Sequence, residues 1–327
     1  MLVDFASVAS KIESGGTLFL AGDETLLKRL PKGNWIGGTI PYFMDQKGGT
    51  MSKDTIFLTE APAAVSGRKI AWYGESELAR LVPEAPDNGF SLVIIPATSP
   101  AHISYARNAP GYEGIFIKPI IGWIAGVHLD DVGKVAPKVF NGATGECSDS
   151  KAIAMHLVLP RGKQASIGIV NLFRQGKGEV ISFEEEGFSV ANCLLGGKKV
   201  NFSEYLVSKK IDTRLPLVAD YSGTLVNVSF QSIDEKKRTV AFYAPVFKNV
   251  QYRIAEPIQD YVKSFSATMP SGSVNPAFSC NCILNYLYAN LEGKRTGTIT
   301  GPITFGEIAY QLLNQTLTYL EIIDSGK

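Results

Sequence analysis

Phe278-Ser-Cys-Asn-Cys-Ile283, Gly301-Pro-Ile-Thr-Phe-Gly-Glu-Ile-Ala309 and Leu313-Asn-Gln-Thr-Leu-Thr-Tyr-Leu320 are the stretches on which the reading of this chain turns. The first is a strand end built from small residues. The second is a turn in which Glu307 follows Gly306, and the third is an amide pair that opens a final strand. Small residues, turns and a few polar groups in this combination predict a pocket lined largely by backbone.

Working outward, strand and helix signals follow each other without a regular βαβ alternation. Asp4 is placed to cap a helix over 5–12 that Gly15-Gly16 ends. Runs rich in Ile, Val, Phe and Trp and bounded by Gly or Pro predict strands at 17–21, 35–40, 55–59, 69–73 and 91–96. Helices are expected at 75–81 and 101–107. Three or four more strands are expected between Gly114 and Phe173, including 152–159 and 166–172. Glu184-Glu185-Glu186 reads as a solvated rim. Gly196-Gly197-Lys198-Lys199 is a flexible polar break, so the expected domains are residues 1–195 and 196–327. Beyond it, a helix is expected at 202–209. A hairpin of 221–233 and 239–243 should turn over residues 234–238. A helix at 256–265 would carry Pro257 in its first turn. A last helix at 283–291 has Ile283, Leu284, Leu287, Tyr288 and Leu291 as its apolar stripe. The expected fold class is α+β (mixed α/β), two related β-rich units with flanking helices.

One internal echo supports related units. Gly37-Gly38-Thr39-Ile40 precedes the strand at Thr55, and Gly301-Pro302-Ile303-Thr304 precedes the strand at Thr316, with spacings of 18 and 15 positions. Related units would place equivalent glycine turns at equivalent sites.

Composition narrows the function classes. At 327 residues, two domains are the natural division. Hydrophobic residues at 45% and charged residues at 19% describe a well-packed globular chain. The 32 basic and 31 acidic side chains leave a net charge of +1, which creates no broad field for nucleic acid or an anionic membrane. Lys209-Lys210 and Lys236-Lys237-Arg238 read as solvated turns. The first residues lack the basic and apolar regions of an export signal. The apolar stretch from Gly114 to Val127 is interrupted by Lys118 and Pro119, too broken to span a bilayer. Four cysteines suit a reducing compartment. The sequons at Asn201, Asn227 and Asn314 then carry no glycan. The expected location is cytoplasmic, with neither nucleic acid nor membrane as a partner.

Candidate chemistry is sparse. Cys280 and Cys282, two apart on a strand, share a face. No Cys-x-x-Cys or His-x-x-x-His supplies the two further ligands a metal would need. A structural or pocket-lining role is expected for the pair, with Cys280 as a nucleophile the alternative. His102, His128 and His156 share no motif and read as satisfied or surface histidines. A haem would use one as axial ligand, and His156, inside an apolar strand, is the first candidate. Glu307 can accept from a ligand ammonium or anchor its own turn. Asn314-Gln315-Thr316 can offer amides to a ligand or shape the entry to the last strand. Gly176-Lys177 is followed by Gly178 and is no phosphate loop, and neither a dinucleotide fingerprint nor a serine-hydrolase elbow occurs.

The second half resembles the C-terminal domain of the FIST family of intracellular sensory proteins. Phe278-Ser279-Cys280 matches that family's Phe-Ser-Cys stretch, Thr304 to Ile308 its Thr-Phe-Gly-Glu-Ile turn, and Asn314, Thr316, Leu317 and Thr318 its closing strand. The first half is less alike. Ile36-Gly37-Gly38-Thr39 stands where a Gly-Cys-Ser/Thr turn is usual, Pro41-Tyr42-Phe43 replaces the usual glycine and glutamate, and Asn281 replaces an arginine. The resemblance implies a small-molecule sensor, with amino acids and related metabolites the usual proposal. Some relatives bind haem and sense nitric oxide. Signal output would come from a partner protein.

The expectation is therefore a non-catalytic, small-molecule-binding sensor for signal transduction. Its pocket would be formed by Gly38, Thr39, Cys280, Asn281, Cys282, Thr304, Phe305, Gly306, Glu307 and Asn314. No cofactor or metal is expected. A haem-based nitric oxide sensor, an enzyme with Cys280 as nucleophile and an assembly protein are the alternatives.

Overall fold

The first sixty residues lay down a pattern that the chain then repeats twice. In this computed structural model, residues 1–221, 223–268 and 276–325 are described. A short strand β1 (Leu2–Val3) leads into α1 (Phe5–Glu13), where Asp4 caps the helix by accepting from the Ser7 N–H and Val8 and Ile12 face the core. Next come β2 (Leu18–Gly22), α2 (Glu24–Leu27) and β3 (Trp35–Thr39), with β3 parallel to β2. A hairpin of β4 (Tyr42–Asp45) and β5 (Gly48–Met51) departs to another sheet, and β6 (Ile56–Glu60) returns antiparallel to β2.

The second repeat runs β7 (Gly67–Tyr73), a 3-10 turn (Glu75–Arg80) with α3 (Leu81–Glu84), β8 (Gly89–Pro96), α4 (Pro100–Asn108) and β9 (Ile120–Ala125), parallel to β8. Its departing hairpin is β10 (Val139–Asn141) and β11 (Glu146–Ser148), and β12 (Ala152–Val158) returns antiparallel to β8. The third repeat opens with β13 (Lys163–Val170), and there the chain enters a second compact unit, residues 171–264 with 313–315.

That unit holds β14 (Ile181–Ser182), β15 (Gly187–Val190), β16 (Asn192–Leu195), β17 (Lys198–Asn201), α5 (Phe202–Ser208), β18 (Leu217–Tyr221), β19 (Thr224–Val228), β20 (Phe230–Asp234), β21 (Thr239–Val246) and β22 (Tyr252–Ile254). Its strands form one sheet in the order β17-β16-β14-β22-β18-β19 and another in the order β15-β21-β20. Aromatic side chains fill its core, with the Phe183 ring 5.5 Å from Phe202 and 5.6 Å from Tyr252. The expected break at Gly196-Gly197 lies inside this unit. Both glycines have positive φ and form the tight turn between β16 and β17.

The third repeat resumes with α6 (Tyr261–Thr268), β23 (Phe278–Cys282), α7 (Ile283–Tyr288) and β24 (Gly301–Thr304), parallel to β23. The hairpin β25 (Glu307–Ala309) and β26 (Gln311–Leu313) departs, and β27 (Leu317–Asp324) returns antiparallel to β23. The first unit therefore carries three six-stranded sheets of one plan: β1-β6-β2-β3-β10-β11, β7-β12-β8-β9-β25-β26 and β13-β27-β23-β24-β4-β5. Each repeat lends its hairpin to the sheet of another. The Gly37 and Gly301 echo is this repetition, offset by one residue. Gly37 faces Phe140 of its borrowed hairpin as Pro302 faces Phe43.

The sheets meet across a core with little spare room. Trp123 stacks on Phe278 at 5.4 Å, and Phe19 meets Phe278 edge-on at 6.3 Å. A Cβ on Gly38 would lie 2.6 Å from Ile94 Cγ2 and 3.1 Å from Trp123 Nε1, so only glycine lets β3 approach the second repeat this closely.

The chain is mixed α+β and β-rich, 19% helix against 42% strand, as its sequence predicts. Local expectations differ in four places. Asp260 starts the helix expected at 256–265, accepting from the Lys263 N–H through its side chain, and this cap outweighs Pro257 as a start signal. The single strand expected over 221–233 is two strands, β19 and β20, which part at Ser229 and join different sheets, while Tyr221 ends β18; residue 222 lies outside the described residues. The helix at 75–81 is a 3-10 turn. Five strands, not three or four, lie between 114 and 173. Among the described residues no helix is long and apolar enough to cross a membrane.

Candidate functional site

β23 ends at Cys282 and α7 begins at the next residue, which puts Asn285 one helical turn beyond Asn281. Asn281 Oδ1 accepts from the Cys282 N–H at 2.8 Å and from Asn285 Nδ2 at 2.9 Å. Asn285 Nδ2 also reaches the Thr316 carbonyl at 3.3 Å. These bonds set both amide orientations, leaving Nδ2 of Asn281 and Oδ1 of Asn285 uncommitted. Thr316 then donates its N–H and its hydroxyl to Glu307 Oε2, at 3.2 and 2.8 Å. The Thr304 hydroxyl points to the carbonyls of Asn281 and Gly306, at 3.3 and 3.0 Å.

The cluster lies out of water. Asn281 is 3% exposed, Asn285 1%, Thr316 2%, and Thr304 and Glu307 0%. Among the described residues, Asn281 Nδ2, Asn285 Oδ1 and Glu307 Oε1 have no hydrogen-bond partner. Each such group costs about 1–3 kcal/mol. Burial pushes the Glu307 carboxyl up to about 8, against the opposing pull of the Thr316 bonds and the neighbouring Cys282 thiol. At neutral pH it is therefore a carboxylic acid. Oε2 is occupied by two donors, so the proton belongs on Oε1.

Cys280 lies beside this cluster. Its Sγ donates to the Gly122 carbonyl at 3.3 Å and lies 3.3 Å from the Thr318 hydroxyl. Burial, with the nearby Glu307 adding to it, pushes the thiol well above its usual range. A thiol held protonated is poorly suited to attack.

Other expected pocket residues make contacts of their own. The Thr39 hydroxyl accepts from the Lys138 N–H at 2.9 Å, and its carbonyl accepts from the Gly126 N–H at 2.8 Å. The Phe305 ring covers Gly126 so closely that a Cβ there would meet it. Thr39 and Phe305 thus brace turns, and Gly38 is a packing glycine. Asn314 belongs to the second unit, where its carbonyl accepts from Asn227 Nδ2 at 3.1 Å and its Oδ1 lacks a partner among the described residues. Asn285 was not anticipated, although an asparagine breaking an apolar helical face four residues after Asn281 is a legible signal.

The repeats show what the fold itself requires at these positions. The second residues of the three borrowed hairpins, Phe140, Ile308 and Phe43, lie opposite Gly37, Gly122 and Pro302. One residue further along are Gly38, Trp123 and Ile303, whose parallel neighbours are Ala21, Ile94 and Asn281. The row before pairs Leu20 with Leu58, Val93 with Ala154, and Cys280 with Thr318. The hairpins themselves open with Tyr42, Val139 and Glu307. Asparagine, threonine and glutamate thus stand in the third repeat where the other two have apolar or aromatic residues.

The histidines do other work. His156 Nε2 lies 2.7 Å from the Tyr73 hydroxyl and Nδ1 2.7 Å from the Ser91 hydroxyl, so both ring nitrogens are engaged and the residue does not fit an axial haem ligand. His102 Nδ1 accepts from the Thr98 N–H and His128 Nδ1 from the Asp130 N–H. Among the described residues no group of three or more His, Cys, Asp or Glu could hold a metal ion.

The chain belongs to a family of unknown function, DUF6976, whose model matches residues 3–323. The match runs through both units, so the inserted unit is part of the family's plan. No curated protein matches the chain.

Proposed function

We propose that this protein is a non-catalytic sensor that binds a small molecule at the buried polar cluster of its third repeat. Asn281, Asn285, Glu307 and Thr316 would contact the ligand, with Cys280, Cys282, Thr304 and Gly306 forming the surrounding wall. One observation carries the reading. The strand positions of Asn281 and Glu307 are apolar or aromatic in the other two repeats, so the fold does not need an amide and a carboxyl there. Unpaired buried polar groups destabilise a fold, and a ligand that pairs them would offset that cost. The likeness of residues 278–280, 304–308 and 314–318 to FIST sensory domains supports the same reading. Signalling output would pass to a partner protein, in the cytoplasm.

A thermal-shift screen of the full chain against metabolites tests this, because a ligand bound only by the native state raises its apparent stability. The expected result is a compound that raises Tm in the wild type and has no effect on Asn281→Ala/Asn285→Leu. A library that leaves Tm unmoved would sink the proposal. The haem alternative is decided by one absorbance spectrum after haem addition, and a Soret band shifted from that of free haem would replace the metabolite reading.

A further inference from the structure

The cluster's unpaired groups have a definite hydrogen-bonding pattern. Asn281 Nδ2 is a donor and Asn285 Oδ1 an acceptor, because their other amide atoms are already committed. Glu307 Oε1 carries the acid proton and is the second donor, because Oε2 already accepts twice from Thr316. Two donors and one acceptor remain. The titratable groups beside Glu307 are the thiols of Cys280 and Cys282. Among the described residues no ion pair involves Glu307, and no Lys, Arg or His hydrogen-bonds to the cluster.

A ligand carboxylate would be buried there with no cation to balance it. A ligand ammonium would have to bring Glu307 to its ionised form out of water, and would give Asn281 Nδ2 nothing to donate to. A carbonyl oxygen has two lone pairs and can accept from both donors, while an N–H on the adjacent atom can serve the acceptor.

Resting on the sensor reading above, we infer that the recognised group is an uncharged carbonyl with an adjacent N–H, as in a carboxamide, lactam or ureide. Its oxygen is held by Asn281 Nδ2 and Glu307 Oε1, and its N–H by Asn285 Oδ1.

Ligand-detected NMR titrations of the full chain with acetamide and 2-pyrrolidone, against acetate and methylammonium, test the assignment at pH 6.5 and 9. The amides are expected to bind and to lose about tenfold in affinity over that interval, as Glu307 gives up its proton near pH 8. Glu307→Gln is expected to keep amide binding, because its Nε2 donates in place of the acid O–H, and to lose the pH dependence. Methylammonium binding that strengthens with pH would overturn the inference and leave the sensor reading standing. So would a screening hit that lacks a carbonyl–N–H edge and competes at this site. If neither the amides nor any screened compound binds, the sensor reading falls as well. Should Glu307→Gln fail to fold by circular dichroism, the wild-type pH profile still decides.

Discussion

Thr316 gives both its backbone N–H and its hydroxyl to one oxygen of Glu307, at 3.2 and 2.8 Å, and the other oxygen of that carboxyl has no hydrogen-bond partner among the described residues. The asymmetry places a proton on a defined atom. It also joins the hairpin that opens at Glu307 to the strand that starts one residue after Thr316.

The Glu307 proton makes stability depend on pH in a known direction. Burial raises the folded value from 4.5 to about 8, so between these limits the native state holds a proton that the unfolded chain has released. Its contribution is complete below about pH 4.5, declines as pH rises, and is gone above about 8. Glu307→Gln has no proton to lose. Relative to wild type it should gain on the order of a few kcal/mol between pH 4.5 and 8.5. Urea unfolding of both proteins at several pH values measures this, and a constant difference would show that the carboxyl is not held uncharged.

Asn281 and Asn285 should act as a pair. Asn281→Ala alone removes an acceptor used by the Cys282 N–H and by Asn285 Nδ2, and is expected to cost about 1–3 kcal/mol. Asn281→Ala/Asn285→Leu removes both amides, and Ala is what the first repeat carries at this position, in Ala21. The double variant should be destabilised by less than the sum of the single changes, with a coupling of roughly 0.5–3 kcal/mol. Denaturant midpoints of the four proteins give the cycle. Additive losses would mean that the two amides are not energetically joined.

His156 should stay neutral far below the usual histidine range. Burial lowers it to about 4, and the Tyr73 and Ser91 hydroxyls occupy both ring nitrogens. A depressed histidine is protonated first in the unfolded chain, so its contribution is lost as pH falls from about 6.5 towards 4. Imidazole NMR shifts should show two rings that do not titrate between pH 5 and 8, those of His102 and His156, and only the second should be absent in His156→Gln. A midpoint near 6.5 would refute the assignment.

Thiol reactivity should follow burial. Cys147 is exposed, whereas Cys193, Cys280 and Cys282 are buried, and burial pushes Cys193 up to about 12. Maleimide labelling of native protein at pH 7.5, read by peptide mass spectrometry, should modify Cys147 and spare Cys280. Rapid modification of Cys280 would restore the nucleophile reading.

Much of the local structure was legible because it depends on neighbours in sequence. Asp4 capping α1, the turn after Asp234 that joins β20 to β21, and the strands at 35–39 and 91–96 follow from capping, turn and β-propensity rules. Glu307 was recognisable by its place after a glycine. The helix at 256–265 was misplaced because Pro257 and Asp260 both signal a start, and only the hydrogen bond to Asp260 Oδ1 selects between them.

Composition and local pattern suffice for a β-rich mixed fold, a near-neutral chain, and a closing segment with an unusual share of polar residues among apolar ones. The sequence also held an echo between residues 37 and 301. The folded chain shows that the echo belongs to three interlocked repeats, that one of them carries an inserted unit, and that Asn281, Asn285, Thr316 and Glu307 meet. Strand pairing and hairpin exchange bring together residues far apart in the chain. Whether a buried amide or carboxyl finds a partner depends on those distant neighbours, which no local pattern records.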